Sequence, residues 1–453
     1  DEIKTQNASE LTKIKLTDIG SVVGKLEVAF LDLDAGKALS DKMFVGSGEG
    51  TKAAGILSVT GVAAADVLAT AKLASVGNIK VDDTLNAGIT GQAMLKSQAK
   101  VTDIKLTGAA ADIQTNLDKL DAFGKKLSGV VASAAASITV SYDKYVKQSG
   151  LIDKIDVTTN SASFIVTDVT ADKAKLVLNN KNDDGTFTRN TDVATITIKD
   201  SGAKITSNWT ALQAAFTAGD LTDAKLTDNG VIKLASTATY NTAAAASGFL
   251  DKIRTTNAAL ATKDQKNYSI AVSGVAVADL SGGSPIQSTS TANWDKVTKV
   301  SISDTADAIS AQLGGDIEAL VTAGKLDKIV QTDAPSGRHD IEVSWANLQK
   351  STVASELDKI YGNVADNTTL GYHMNTDAGD YKLKVTGVTA DKASYLIDLV
   401  NGNRFASKVN KLTVSDTAAN ISANLVGLNV VQNAAKMDSI TNTGDGNGGA
   451  DLI

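Results

Sequence analysis

Acidic, glycine-rich segments hold the residues of this chain whose type and spacing could do chemistry. Residues 446–453 read GNGGADLI and fit the calcium-binding nonapeptide G-G-x-G-x-D-x-U, with Asn447 in place of the second glycine. In that motif, tight glycine turns let backbone carbonyl groups and the aspartate surround a hard cation. Asp445 and Asp451 are therefore candidate calcium ligands, and a plain polar loop is the alternative.

A second cluster of oxygen ligands runs from 179 to 185 and reads NNKNDDG, which makes Asp183 and Asp184 the other calcium candidates. Residues 375–380 and 32–36 are similar in kind. None of these segments fits the twelve-residue helical calcium loop, which requires a glutamate at its last position. Hydrated turns are the preferred interpretation, and Ca²⁺, if bound, is expected first at these two pairs of aspartates.

Catalysis is not predicted from the other reactive side chains. The two histidines, His339 and His373, have no partners at a fixed spacing, so solvated loops are the preferred interpretation. The chain contains no G-x-S-x-G, P-loop, dinucleotide fingerprint or H-E-x-x-H sequence. Two aspartates could be paired as in a glycosidase, but any aspartate-rich chain offers that coincidence. We predict a protein that is not an enzyme.

Charge and composition exclude several classes of partner. The chain has 44 basic and 51 acidic residues and a net charge of −7, whereas nucleic-acid binding requires clustered Lys and Arg. It has no run of 18 apolar residues, so we predict no membrane span. It also has no cysteine, which excludes disulfides and thiolate chemistry. Cysteine depletion favours a protein exported to the bacterial exterior, and we expect an extracellular, cell-surface location.

The framework around these segments is a repeat of about 105 residues. Tetrapeptides of the form V-[TS]-[GD]-V begin at 59, 166, 272 and 385, with spacings of 107, 106 and 113 residues. A second series, VTDIKLTG, VATITIKD, VTKVSISD and VNKLTVSD, begins at 101, 193, 297 and 409. Such regularity indicates a stacked array whose units complete their cores against their neighbours. We predict repeat units at 1–126, 127–220, 221–325 and 326–436, with 437–453 opening a fifth, truncated unit.

Three further landmarks keep the same order along the chain. The string L-x-x-[IA]-x-x-T-D begins at 11, 221 and 326. The alternating segments LEVAF, ITVSY and IEVSW begin at 26, 138 and 341, and [IL]-D-K-I begins at 152, 250 and 357.

The passage from 409 to 442 gives the clearest local structure. Leu412 and Val414 alternate with polar residues, which predicts a half-buried strand. Asp416 ends that strand and is a suitable helix N-cap, as is Asp304 in the preceding copy. Ile421, Leu425 and Leu428 then recur at helical spacing and predict a buried stripe, before a second strand near Met437 to Thr441.

A strand, a short helix and another strand imply a crossover between parallel strands, which is right-handed. With about five strands per unit, one strand recurs every 20–25 residues or so, the length of one solenoid coil. We therefore predict an α/β repeat protein, an elongated right-handed solenoid of parallel strands with short helices. A string of compact α+β domains is the alternative, and the lack of Pro- or Gly-rich linkers favours the solenoid.

VSDTAANISANL from 414 and ISDTADAISAQL from 302, with KMDSI and KLDKI after them, carry a family resemblance. They resemble the DTAANIAANL-type repeats of very long secreted bacterial surface proteins, which include adhesins with RTX-type, glycine- and aspartate-rich calcium repeats. The resemblance is sharp over about 35 residues per unit. It implies an extracellular structural or adhesive role and no catalytic residue.

Three functions follow from these patterns. The first is the repetitive body of a secreted surface protein, such as a stalk, filament or surface-layer component, that self-associates end to end or laterally. The second is an adhesin array that binds a cell-surface glycan through its variable loops. The third, a solenoid polysaccharide hydrolase, would require carboxylates concentrated on one face.

Overall fold

A computed structural model describes residues 14–16, 26–30, 43–45, 57–181, 187–245, 248–255, 268–280, 286, 291–333, 339–362, 381–400 and 402–444. The chain divides into two compact bodies. The first body comprises Asp1–Asp200 and Ala214–Ala224, and the second comprises Ser201–Gln213 and Lys225–Ile453. Each body is described by itself.

Strands recur at short intervals through the described residues, because short alternating segments rich in Val, Ile and Leu present one apolar face. In the first part of the chain they are β1 (Ile14–Leu16), β2 (Leu26–Ala29), β3 (Met43–Val45), β4 (Leu57–Val62), β5 (Val76–Thr84), β6 (Val101–Gly108), β7 (Leu127–Ala132), β8 (Ser137–Ser141), β9 (Ile155–Asp156), β10 (Ser163–Val169), β11 (Asn179–Lys181), β12 (Phe187–Arg189), β13 (Val193–Asp200) and β14 (Leu221–Leu226). They continue as β15 (Val231–Leu234), β16 (Ile253–Thr255), β17 (Ser269–Val275), β18 (Val297–Asp304), β19 (Leu326–Gln331), β20 (Ile341–Ser344), β21 (Ile360–Gly362), β22 (Leu383–Val388), β23 (Val409–Asp416) and β24 (Met437–Asn442).

Short helices connect the strands. They are α1 (Val67–Ala71), α2 (Leu85–Thr90), α3 (Gln92–Ser97), α4 (Ala110–Asp121), α5 (Tyr142–Lys147), α6 (Ser149–Ile152), α7 (Ala174–Leu178), α8 (Gly202–Ser207), α9 (Trp209–Thr217), α10 (Thr237–Ala244), α11 (Thr291–Trp294), α12 (Ala306–Gln312), α13 (Asp316–Thr322), α14 (Trp345–Leu348), α15 (Ser351–Leu357), α16 (Ala393–Ile397), α17 (Ala418–Ala423) and α18 (Leu425–Asn433). Single 3-10 turns lie at Ala64–Asp66, Gly124–Lys126, Ala171–Lys173, Phe249–Lys252 and Val277–Asp279.

The main sheets are parallel, and their strands lie nearly in chain order. In the first body the strand orders are β2-β4-β5-β6-β7-β9 and β8-β10-β13-β14. This body also contains a parallel pair, β1-β3, and an antiparallel pair, β11-β12. In the second body they are β15-β17-β18-β19-β21 and β20-β22-β23-β24. One strand and the helical connection that leads to the next form a coil. The predicted α/β class, with parallel strands and short helices, is confirmed.

Successive sheets interleave within each body. The chain leaves β7, starts the next sheet with β8, and then returns through α5 and α6 to place β9 beside β7. The same order recurs where β20 starts a sheet before β21 pairs with β19. This junction assigns roles to two sequence landmarks. The ITVSY and IEVSW segments open a new sheet, whereas the D-K-I segments complete the previous one.

The V-[TS]-[GD]-V tetrapeptides are β-bulges. In each copy the register with the next strand shifts between the two valines. The residue before the second valine has positive φ in every case, namely Gly61 (71°), Asp168 (58°), Gly274 (61°) and Gly387 (67°). A left-handed residue is the known requirement of one bulge type, and glycine adopts it without steric cost. A backbone requirement therefore explains this series.

The structure revises the second series in its first member. The strand paired with bulged β4 is β5, just as β13, β18 and β23 pair with the other three bulged strands. The equivalent start is therefore Val76 and not Val101, and the spacings become 117, 104 and 112. VTDIKLTG of β6 belongs one coil later, with β14, β19 and β24.

Most of the predicted core residues are buried. Leu412 and Val414 lie in the core, and the stripe of α17 and α18 buries Ile421 and Leu428. Leu425 differs, because about half of its side chain is exposed to solvent.

Candidate association surface

The predicted calcium ligands Asp183, Asp184, Asp445 and Asp451 lie outside the described residues, as does His373. Within the described part of the chain, no group of three or more His, Asp or Glu residues could hold a metal ion. His339 is described, and its exposed ring places Nδ1 3.4 Å from the Asp307 carboxylate. The chemistry that the structure does describe is the attachment of each coil to the next.

Aspartates at strand ends attach neighbouring coils by capping helices that they do not belong to. Each carboxylate accepts a hydrogen bond from the first free backbone N–H of a helical turn in the preceding coil, which satisfies a donor that has no partner inside its own helix. The six pairs are Asp83 with Ala64 (2.8 Å), Asp200 with Ala171 (3.0 Å), Asp228 with Gly202 (2.9 Å), Asp304 with Val277 (2.8 Å), Asp333 with Ala306 (2.7 Å) and Asp416 with Ala390 (3.0 Å).

The prediction that Asp304 and Asp416 cap their own helices needs correction. The local caps are Thr305 and Thr417, whose hydroxyl oxygens accept hydrogen bonds from the backbone N–H groups of Ala308 and Asn420, respectively. Hydrogen bonds from the Asn420 side chain and the Ala390 N–H hold the pKa of Asp416 below its ordinary value. The D-T pair thus divides two tasks between adjacent residues, because the aspartate faces the previous coil and the threonine its own helix.

Lysines at strand starts cap the opposite helix ends. Each ammonium group donates to backbone carbonyls of the preceding coil, where the partial negative charge of a helix C-terminus favours a cation. Lys325 also lies 4.4 Å from the ring centroid of Trp294, and burial lowers its pKa. The acceptors are Ala71 and Leu73 for Lys100 (2.7 and 3.0 Å), Leu95, Lys96 and Gln98 for Lys126 (3.2, 2.8 and 2.9 Å), Gly124 for Lys154 (3.1 Å), and Trp294 and Val297 for Lys325 (2.7 and 2.6 Å).

These contacts make each coil incomplete without its successor. The coil that leads from β23 to β24 is the last one described. No described strand pairs with the outer edge of β24. Gly444 stands where Asp333 stands one repeat earlier, so the position that carries the capping carboxylate in the earlier repeat has no side chain here. Ile440 is 41% exposed, although its counterparts Ile104, Ala224 and Ile329 are fully buried.

The exposed apolar residues from Leu425 to Ile440, together with Tyr395 of α16 in the preceding coil, form what we call the terminal face, defined as Tyr395, Leu425, Val426, Val430 and Ile440. Val426 is 84% exposed and Leu425 is 52% exposed. Tyr395 and Val430 line a groove of about 510 Å³ between α16 and α18, with Ser394, Ile397 and Asp398 as its other walls. Apolar surface gathered on two neighbouring coils is typical of an interaction site, in contrast to singly scattered apolar residues.

The same surface is covered one repeat earlier. There β19 pairs with β21, and α13 packs against α15. As a result Leu313, the counterpart of Leu425, is only 5% exposed, and Ile329 is fully buried. The chain thus contains its own example of what fits on a terminal face.

A buried carboxyl group lies at that covered example. Glu356 of α15 is fully buried, and its Oε2 accepts a hydrogen bond of 2.9 Å from the N–H of Gly314. Its Oε1 is buried without a hydrogen-bond partner among the described residues. Burial raises the pKa of Glu356 to about 7. No pattern in the surrounding sequence, ASELDK, marks Glu356 as buried.

None of the helices in the described ranges is long and apolar enough to cross a membrane. No protein-family model, no curated protein and no solved structure matches this chain.

Proposed function

We propose that this chain is the structural repeat region of a secreted bacterial cell-surface protein, in which coils stack into an elongated right-handed solenoid. It would act as a stalk, filament or surface-layer component that spans distance and self-associates. The observation that carries the proposal is the recurrence of capping between coils. Six aspartates and four lysines complete helices of the preceding coil, so the contacts of the chain serve stacking.

The four-unit division and the surface location belong to the same proposal. The interleaved sheets support a continuous array, because β9 and β21 each complete a sheet after the first strand of the next sheet has begun. The absence of cysteine and the resemblance of the DTAANIS segment to bacterial surface repeats support an extracellular location.

Small-angle scattering tests the architecture. A compact chain of 453 residues has a radius of gyration of about 22 Å, whereas roughly twenty coils stacked at about 4.8 Å give a value near 28 Å or more. Extrapolation to zero concentration separates the shape of one chain from any association. A symmetric distance distribution with a radius near the compact value would contradict the solenoid.

Calcium binding at Asp183, Asp184, Asp445 and Asp451 remains a separate proposal. Isothermal titration with CaCl₂ tests it, with the fourfold Asp→Asn variant as the control. Heat of binding that persists in the variant would remove these aspartates as ligands.

A further inference from the structure

The last described sheet lacks one kind of strand that the earlier sheets have. In the first sheet β9 covers β7, and in the third sheet β21 covers β19. Both covering strands follow the same dipeptide, Asp153-Lys154 and Asp358-Lys359. No strand of this kind lies beside β24 among the described residues.

A segment of that kind occurs near the start of the chain. Asp41-Lys42 precedes β3, and LEVAF from 26 lies ahead of it as IEVSW lies ahead of β21. β3 pairs with β1, with Ile14 opposite Met43. This register matches that of β19 with β21, where Ile329 lies opposite Ile360.

β1 therefore occupies the position of a β24-type strand. Residues 11–18, LTKIKLTD, align with LDKIVQTD of 326–333 and with MDSITNTG of 437–444, which places Ile14 and Ile440 at equivalent positions. The β1-β3 pair comprises three residues on each strand and forms a sheet of its own. Isolated two-stranded sheets are at best marginally stable in water.

We propose that β3 of one copy of this chain pairs with β24 of a second copy, with Met43 opposite Ile440, and displaces β1. This proposal rests on the proposed function and specifies its self-association. Pairing with β24 replaces a contact with a three-residue strand by a contact with the edge of a four-stranded sheet.

The junction between copies would reproduce the junction inside the chain. β2 would stay beside β4 in its own sheet while β3 crosses to the neighbouring copy, as β20 stays beside β22 while β21 crosses to β19. The donor strand and the acceptor strand are different surfaces, so the contact is heterologous. A heterologous contact that does not close on itself builds an open chain of copies.

Site-specific crosslinking tests the pairing, and the absence of native cysteine makes the background clean. Residues opposite each other on paired strands bring their Cα atoms within about 5 Å, inside the range that a disulfide spans. Ile440→Cys and Met43→Cys chains are mixed and oxidised with copper phenanthroline. We expect a crosslinked dimer at least about 10-fold more abundant in the mixture than in either variant alone.

Each other outcome overturns the proposal. A dimer from Ile440→Cys alone would indicate symmetric pairing of β24 with β24, and absence of any crosslink would show that β24 is not the acceptor. As a second measurement, the Ile14→Cys/Met43→Cys chain is locked by its own disulfide and should sediment as a monomer until it is reduced. Assembly of the locked chain would contradict exchange of β3.

The matched control is Val146→Cys mixed with Met43→Cys, since Val146 is about half exposed, lies on α5 and is not part of the terminal face. If crosslinking fails and the scattering profile is elongated, the exchange of β3 between copies is wrong and the solenoid proposal stands. A compact scattering profile would contradict the solenoid proposal itself.

Discussion

Two coils of the second body have nearly the same sequence and differ in what lies on them. The inner coil reads ISDTADAISAQL from 302 and KLDKIV from 325, and the last described coil reads VSDTAANISANL from 414 and KMDSIT from 436. Leu313 and Ile329 are buried in the inner coil, whereas Leu425 and Ile440 are about half exposed in the last one. Burial in this protein is therefore decided by the next coil and not by the sequence of the coil itself.

The difference in burial between the two coils can be expressed as a free energy of folding. Full burial of a leucine or isoleucine side chain contributes roughly 1.5–3 kcal/mol. An apolar side chain that stays exposed contributes only part of this free energy, and this holds for all five residues of the terminal face. The substitutions below separate what a coil contributes alone from what its neighbour adds.

The largest contrast is expected between two isoleucines at equivalent positions. Ile329→Ala should destabilise the chain by about 2–5 kcal/mol, because it leaves a cavity between covered coils. Ile440→Ala should cost below about 1 kcal/mol, because solvent already reaches that side chain. Urea unfolding at concentrations where the chain is monomeric measures both. Equal costs would show that the covering coil contributes little.

The second contrast is a pH dependence that belongs to the covered coil. Burial raises the pKa of Glu356 from 4.5 to about 7, so the folded chain keeps a proton that the unfolded chain releases. Stability should therefore fall as pH rises between about 4.5 and 7, by about 3 kcal/mol at most, and stay low above that window. Lys350 opposes this shift and Glu318 adds to it.

Glu356→Gln should flatten this part of the stability profile and stabilise the chain at pH 8. Thermal unfolding at pH 5, 6, 7 and 8 measures the effect, and Glu342→Gln, at an exposed glutamate of β20, is the control. An unchanged pH profile in Glu356→Gln would mean that another group titrates.

The third contrast concerns the carboxylate that the last coil lacks. Asp333→Ala should cost about 1 kcal/mol, since it removes the cap on the Ala306 N–H. Asp121→Ala, an exposed aspartate near the end of α4, should change the free energy of unfolding by less than about 0.5 kcal/mol. Chemical denaturation compares the two variants. A cost at Asp333 no larger than at Asp121 would remove capping between coils as a source of stability.

The smallest difference is expected between two bulge glycines, one in the first sheet and one in the last described sheet. Gly61→Ala and Gly387→Ala each place a side chain at positive φ, and a Cβ at either position meets no atom within 4 Å. Both should lose about 1 kcal/mol, the cost of a left-handed L-residue. Thermal unfolding measures the pair, and unequal losses would show that the bulge depends on coils beyond its own strand pair.

Sequence patterns predicted the parts of this fold that depend on a few adjacent residues. The strand through Leu412 and Val414 and the buried positions Ile421 and Leu428 of the helical stripe are found as predicted. The capping role of Asp304 was recognised, but its partner lies 27 residues away in another coil, and local spacing carries no information about that distance. The exposure of Leu425 could not be read from the sequence, because Leu313 has almost identical neighbours.

The alignment of the first repeat with the others could not be predicted for the same reason, because it depends on which strands pair. VTDIKLTG of β6 reads like β18, although β5 occupies the equivalent place. Only pairing with the bulged strand separates the two, and pairing is a tertiary property. The one signal in the sequence was an irregular spacing of 92 residues between Val101 and Val193.

The placement of caps in the following coil also gives the chain an order in time. The N–H of Ala306 receives its carboxylate from Asp333, 27 residues later, and that of Ala171 from Asp200, 29 residues later. When the chain is synthesised from its N-terminus, a helix capped in this way is complete only after the following strand has been made. We therefore expect each coil with such a cap to reach its full stability only after the coil that follows it has been made.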